Sequence, residues 1–505
     1  MTTVTFVRRF LSDYTRNPVN LLLLAVVPVV FVIVVAGSLT DAAKLLAGPG
    51  GITVQTASAG WAAAFLAGIA MYFQTAATRD TDRRVVVAGL APARLVAARL
   101  TTGLILALVA AAAAALIALA VKTGLDEPVR AGVGTLMFAV VYVAIGALVG
   151  TLVRNPVNGT VIVLFIWILD VFFGPAMGAA DRPATRPLPT HFVTLWMVDL
   201  PSGHGGRIGD FGWGLLWTLV AVASAWAVTV GRTRRARPHR LGSGSVRMQL
   251  VAASRAAWHD ARRNPALWVL FVIVPLVFIW TADAVTPDAP ITLRISENGD
   301  SSDAVFAMPQ VHGATMAPIA IASLAALVGL FAMADARDGD RRAALAGMRT
   351  TALLGARLAV LATAALTAAA ISLAATAVVF DAARWPTYIG ANLLLALTYA
   401  LVGALLAPLF GRVGGVFVAF LLPFLDIGVS QSPMLHPQPA TAATYLPGYG
   451  GSRVLLDGAL TAGFDETRPL LAGLAWLIGL LLLVTVTYRR SIAPARPSIT
   501  PGGRS

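Results

Sequence analysis

Runs of about twenty residues with almost no charge recur along this chain, and a helix of that length spans the hydrocarbon core of a bilayer. In lipid, only helices and closed barrels satisfy all their own backbone hydrogen bonds. Spans are predicted near 19–37, 59–77, 100–121, 132–153, 157–175 and 211–231, and again near 266–283, 313–334, 356–380, 387–410, 415–430 and 469–488. Composition agrees, since 57% of residues are hydrophobic and only 12% charged, about half the charge of an ordinary soluble domain. The predicted fold is an all-α polytopic membrane protein with 12 transmembrane helices.

The spans form two sets of six because the sequence repeats itself once. Arg79-Asp80-Thr81-Asp82-Arg83-Arg84, followed by Ala88-Gly89, returns as Arg337-Asp338-Gly339-Asp340-Arg341-Arg342, followed by Ala346-Gly347. The spacing continues to Ala98-Arg99-Leu100 and Ala356-Arg357-Leu358. Arg16-Asn17-Pro18 returns as Arg263-Asn264-Pro265, Leu169-Asp170 as Leu425-Asp426, and Leu188-Pro189 with Asp199 as Leu446-Pro447 with Asp457. Repeated six-span halves are a common plan for membrane transporters. The expected division is a first unit over 1–231, a basic cytoplasmic linker over 232–247, a second unit over 248–490 and a cytoplasmic tail over 491–505.

The formal net charge of +14 raises the question of nucleic acid. Its distribution answers it. With the N-terminus inside, the inner segments hold 28 Arg or Lys against 7 Asp or Glu, and the outer segments 10 against 15. That is the positive-inside pattern of a multi-pass protein with both termini cytoplasmic, and no nucleic-acid partner is expected. Arg8-Arg9 before an apolar run resembles a twin-arginine signal. The counterpart of that run lies mid-chain at 266–283, so it reads as an uncleaved first span.

Each half opens with a short amphipathic segment, 4–16 and 248–262, suited to the inner headgroup layer. The linker, with Arg232, Arg234, Arg235, Arg237 and Arg240 before Gly242-Ser243-Gly244-Ser245, reads as a flexible connector. The segments 176–210 and 431–468 are long and partly apolar, and suggest short helices dipping into the outer leaflet. The acidic segment 284–312 suggests a strand near 291–295. Small residues such as Gly146-x-x-x-Gly150 favour close helix packing. Trp167, Trp196, Trp213 and Trp217 read as markers of the membrane interface.

The inner segments 78–99 and 335–357 carry the sharpest functional signal. Acids at a helix start complement its dipole, and clustered arginines offer forked donors to a partner's carboxylates or carbonyls. Anchoring of span ends explains the charge but not the repeated order. Two docking elements on one membrane face suit two copies of a partner.

On these features the chain resembles the ABC-2-type permeases, the membrane subunits of ATP-binding-cassette transporters, as two six-span units fused in one chain. The resemblance implies an amphipathic first helix, a charged coupling loop between spans two and three, and re-entrant helices before the last span. In the first half Asp82, Gly89, Pro92 and Arg94 match the coupling loop. In the second Asp340 and Gly347 match, while Met348-Arg349-Thr350-Thr351 lacks the proline. The ATPase-coupling set is thus expected at Asp80, Asp82, Arg83, Arg84, Gly89, Pro92, Arg94, Asp338, Asp340, Arg341, Arg342 and Gly347. The resemblance further implies export of a hydrophobic or amphipathic compound, antibiotic-like or lipid-like, across a bacterial plasma membrane. Lys44 and Lys122 are the only lysines, and neither ends a Gly-x-x-x-x-Gly-Lys-Ser/Thr loop. No cofactor is expected in this chain. ATP and Mg would be bound by a separate ABC ATPase, two copies per chain.

Asp170 and Asp426 lie late in spans five and eleven. A carboxylate in the bilayer costs about 3 kcal/mol and normally faces a cavity or a partner. Two placements remain open: a translocation path at the interface of the halves, or a hydrated outer boundary where they cap the short outer helices. A proton-coupled secondary transporter of the major facilitator type shares the two six-span halves and is the main alternative. The pre-span amphipathic segments, the long outer segments before spans six and twelve, and the scarcity of buried acids count against it. Cysteine is absent and the six histidines are scattered, which leaves no metal, thiol or triad pattern for a membrane-embedded enzyme.

Overall fold

The computed structural model describes residues 18–45, 48–87, 91–106, 112–124, 127–177, 185–234, 265–297, 300–345 and 349–492, with isolated positions at 7, 8, 12, 108 and 183. The linker beyond Arg234, the predicted segment 248–262, nearly all of 4–16 and the tail beyond Ile492 lie outside the described residues. The first half comprises α1 (Pro18–Val30), a π turn (Phe31–Val35), α2 (Ala36–Leu45), α3 (Gly51–Val87), α4 (Pro92–Leu106), α5 (Ala113–Thr123), α6 (Pro128–Leu152), α7 (Pro156–Phe172), α8 (His191–Met197) and α9 (Ile208–Arg234). The second comprises α10 (Pro265–Val285), β1 (Pro290–Glu297), β2 (Asp300–Ala307), α11 (Met308–Leu345), α12 (Thr350–Thr376), α13 (Trp385–Pro423) running into a π segment (Phe424–Ser430), α14 (Gly448–Leu460) and α15 (Thr467–Ile492).

Local chemistry sets the helix starts. Proline stands in the first turn of α6, α7 and α13, where its missing N–H removes no hydrogen bond. The Asn155 side chain accepts from the backbone N–H groups of Val157 and Asn158 and so caps α7.

Eight of the described helical stretches are long and apolar enough to cross a membrane. Three features account for the difference from the predicted 12. Trp385–Ser430 takes in both spans predicted at 387–410 and 415–430, since the chain turns at Gly411 (φ 65°) and resumes as helix without a loop. Pro156–Phe172 is apolar but shorter, and Phe271–Ala284, counted as short, lies within α10, which runs 21 residues. The span predicted at 100–121 is divided between α4 and α5.

In each half the second long helix packs along the fourth with their backbones in contact. A Cβ added at Gly146 of α6 would stand 2.2 Å from the Gly68 carbonyl oxygen of α3, and one at Gly403 of α13 would stand 1.9 Å from the Ala326 oxygen of α11. Lipid gives no hydrophobic drive for helices to associate, so van der Waals contact at small residues holds such pairs. An aromatic seam joins the halves. Phe65 lies 5.0 Å from Phe417 and 5.6 Å from Phe420, and Trp167 lies 5.9 Å from Phe420. Trp167 is therefore core and not an interface marker. It is buried, and its indole N–H donates to the Trp61 carbonyl at 2.9 Å.

The strand predicted near 291–295 is β1, and it pairs antiparallel with β2 from Pro290↔Ala307 to Glu297↔Asp300. The outer segments hold helices α8 and α14.

Gly146→Ala and Gly403→Ala are each expected to destabilise the purified protein by about 1–3 kcal/mol through overpacking. Gly390→Ala, where no atom lies within 4 Å, is expected to be neutral. Thermal unfolding in mild detergent reads the difference.

Candidate functional site

The repeated charged motif lies on helix ends, not in loops. No proline or glycine interrupts the chain from Thr78 to Ala88, so α3 continues through the motif to Val87; α11 likewise continues to Leu345. This corrects the expected loop bounds of 78–99 and 335–357. It also reverses the expected dipole relation. The motif ends a helix, and arginines in the last turn complement the negative helix end.

The second aspartate of each motif turns inward. Asp82 accepts two hydrogen bonds from Arg99, at 2.7 and 3.3 Å, and a third from the Thr78 hydroxyl at 3.1 Å. Asp340 accepts two from Arg357, at 2.8 and 3.1 Å, and a third from the Tyr488 hydroxyl at 2.8 Å. These forked pairs, each closing a seventeen-residue separation, tie α3 to α4 and α11 to α12. Arg99 and Arg357 belong to the sequence repeat, yet their role as partners of the aspartates was missed. Of the arginines expected in the coupling set, Arg84, Arg94, Arg341 and Arg342 are exposed, while Pro92 is half-buried in the first turn of α4. Asp80, Arg83 and Asp338 fall on the same helix ends, and Gly89 and Gly347 lie outside the described residues.

The opposite ends of the halves carry a second matched pair of clamps. Arg130, at the start of α6, donates to both oxygens of Asp199 at 2.9 and 2.8 Å. This guanidinium holds the Asp199 carboxyl below the ordinary carboxylate range. Arg384, just before α13, donates to Asp457 at 2.5 Å and to the carbonyls of Thr461 (3.1 Å) and Gly463 (2.6 Å). The sequence displays the repeated aspartates but not the arginines that meet them.

Asp170 and Asp426 are both buried. Asp170 accepts from the Thr190 backbone N–H (3.2 Å), the Thr190 hydroxyl (2.6 Å) and the Tyr142 hydroxyl (3.1 Å). Asp426 accepts from the Gly448 N–H (2.7 Å), the Tyr399 hydroxyl (2.5 Å) and the Gln431 amide (3.2 Å). Thr190 precedes α8 and Gly448 opens α14, so each carboxylate caps a short outer helix, where a negative charge is favoured. Of the two expected environments, the geometry supplies the capping contacts of the second without its hydration. The donors are neutral and come from the same half.

Between the halves lie two apolar cavities of about 830 and 610 Å³. Phe172 of α7, Phe278 of α10, Ile319 of α11 and Phe424 line both. The Phe172 ring stands 6.2 Å from Phe278 and 6.3 Å from Phe424, edge to face, at this shared neck. Their walls are mostly apolar.

The fold and its repeated clamps define a polytopic helical membrane protein with two matched faces. Residues 49–230, less than half of the chain, match the family described as "ABC-2 family transporter protein". That family is one of membrane transport components that associate with an ABC ATPase. No curated protein matches the chain in sequence.

The inner clamp is expected to show pairwise coupling. Asp82→Ala and Arg99→Ala should each destabilise, and the double variant should cost less than their sum by about 1–3 kcal/mol. Strict additivity in detergent unfolding would show that the pair is not formed.

Proposed function

We propose that the chain is the transmembrane subunit of an ABC exporter, two permease units fused, which moves a hydrophobic or amphipathic compound across the bacterial plasma membrane. One observation carries this reading: the family match in the first half, joined to an inner clamp that recurs in the second half behind outward arginines. ATP and Mg bind to a separate ATPase. Two copies dock, one on each inner helix end, with both termini of the chain on the same cytoplasmic side. Arg84 and Arg94 serve the first contact, Arg341 and Arg342 the second. Asp82 and Asp340 act as positioning residues that fix the angle between the helices bearing those arginines.

ATPase closure pushes the two inner ends together. Each end is fastened to the next helix by a forked ion pair, so the push rotates a rigid helix pair and does not bend a loop. The halves meet along the aromatic seam, and their rocking opens and closes the neck at Phe172, Phe278 and Phe424. The walls of the cavities above and below that neck suit an apolar or amphipathic cargo, antibiotic-like or lipid-like, and efflux of such a compound confers resistance to it. Asp170 and Asp426 hold the outer helices and stay out of the path.

The test uses proteoliposomes holding the chain with its co-purified ATPase. Arg84→Glu with Arg341→Glu is expected to lower ATP-dependent transport at least tenfold. Phe172→Ala with Phe278→Ala should change the transport of apolar probes while leaving ATPase recovery intact. Transport that runs on a proton gradient without ATP, and ignores the arginine reversals, would refute the proposal.

A further inference from the structure

Arg79 and Arg337 hold equivalent places in the two halves, each three residues before the clamp aspartate. The structure uses them differently. The Arg79 guanidinium donates to the carbonyls of Gly150 and Val153, the latter at 2.9 Å, and so closes the last turn of α6. In the second half the helix facing Arg337 is α13, where Pro408 precedes the turn at Gly411 (φ 65°, ψ −165°). Among the described residues, no carbonyl of that helix accepts from Arg337 as those of Gly150 and Val153 accept from Arg79. Arg337 is exposed and, among the described residues, has neither a hydrogen bond nor an ion pair.

Instead, Arg337 lines a cavity of about 710 Å³ between α11, α13 and α15. Arg412 and Thr487 share its polar wall, and Met333, Leu405 and Val484 contribute apolar surface. Among the described residues no acid lines it. Arg412 is already paired with Asp335 at 2.5 Å, and no described acid pairs with Arg337. The matching cavity of the first half, about 580 Å³, has Asp82 in its wall and an arginine already engaged. The difference between two otherwise equivalent positions singles out the second as a place for an anion.

We propose that this cavity binds the phosphate of a phospholipid of the inner leaflet. Arg337 is its ligand, Thr487 a second donor, and Met333, Leu405 and Val484 meet the acyl chains. A guanidinium matches a phosphate with two parallel donors. A basic group at the inner headgroup level attracts anionic lipid by about 1 kcal/mol. The placement of Arg337 at the inner leaflet rests on the orientation in the functional reading above. The lipid itself is bound without ATPase or transport. In the first half Arg79 is engaged and Asp82 stands in the wall beside Arg232, so the second-half cavity is the one assigned to the lipid, one per chain.

Native mass spectrometry of the full chain in mild detergent, with added phosphatidylglycerol, tests this. The expected result is one tightly held lipid per chain, retained in the presence of millimolar inorganic phosphate and absent when diacylglycerol replaces the phospholipid. Arg337→Ala should weaken retention by about tenfold, and Arg337→Lys, which keeps the charge but loses the fork, should fall between the two. Arg79→Ala, the same charge change in the other half, should leave the lipid count unchanged while lowering thermal stability. Equal retention in Arg337→Ala, or loss of the lipid in Arg79→Ala alone, would overturn the assignment. Displacement by inorganic phosphate would do so too, since it would mark a free-anion site. Failure of ATP-driven transport would touch the functional reading and leave this result intact.

Discussion

Four carboxylate–arginine pairs hold the two ends of the two halves, and the rest of the structure depends on them. Asp82–Arg99 and Asp340–Arg357 close one end; Arg130–Asp199 and Arg384–Asp457 close the other. Exposed ion pairs contribute little, but the two inner pairs are largely shielded from solvent. Their geometry is forked, so each fixes an orientation as well as a distance. Between the pairs, the helices are held by backbone contact at Gly146 and Gly403. A helix pair fastened at its end and packed along its length moves as a unit. On the proposed function, that rigidity is what would carry a push at one face to the seam between the halves.

Much of this was legible in the sequence, because a membrane helix is a local object. Span lengths, the repeat and the one-sided arginines are all read within a short window. The strand near 291–295, the paired outer helices and the internal duplication follow from such windows too. The number of crossings was harder, because Gly411 turns the chain without a polar loop, and the positive φ that glycine tolerates leaves no break in apolarity.

The site was only half legible. The repeat marks Asp82, Asp340, Asp170 and Asp426 as special but does not say what they face. Outward coupling acids and path-lining acids have the same sequence signature as acids turned inward to an arginine or a tyrosine. Their partners lie seventeen to about thirty residues away for Arg99, Arg357, Tyr142, Tyr399 and Thr190, and much further for Tyr488. Helix packing selects such partners, and periodicity does not. The motif's extension of α3 and α11 runs against the loop reading for a related reason: a charged run reads as a loop, although no helix breaker lies in the first motif and the single Gly339 of the second does not end its helix.

The two sets of matched elements differ in detail. Among the described residues, a tyrosine reinforces the Asp340–Arg357 pair and not the Asp82–Arg99 pair, a β-hairpin occurs in the second set and not the first, and Arg79 is locked where Arg337 is not. The clamps themselves are kept in both. The most direct measurement is the mass of the assembly extracted from its native membrane in mild detergent. One chain with two ATPase subunits, reduced to one when Arg84 or the Arg341–Arg342 pair alone is reversed in charge, is the predicted result. A chain recovered by itself, fully active, would contradict the coupling of both inner ends to ATP.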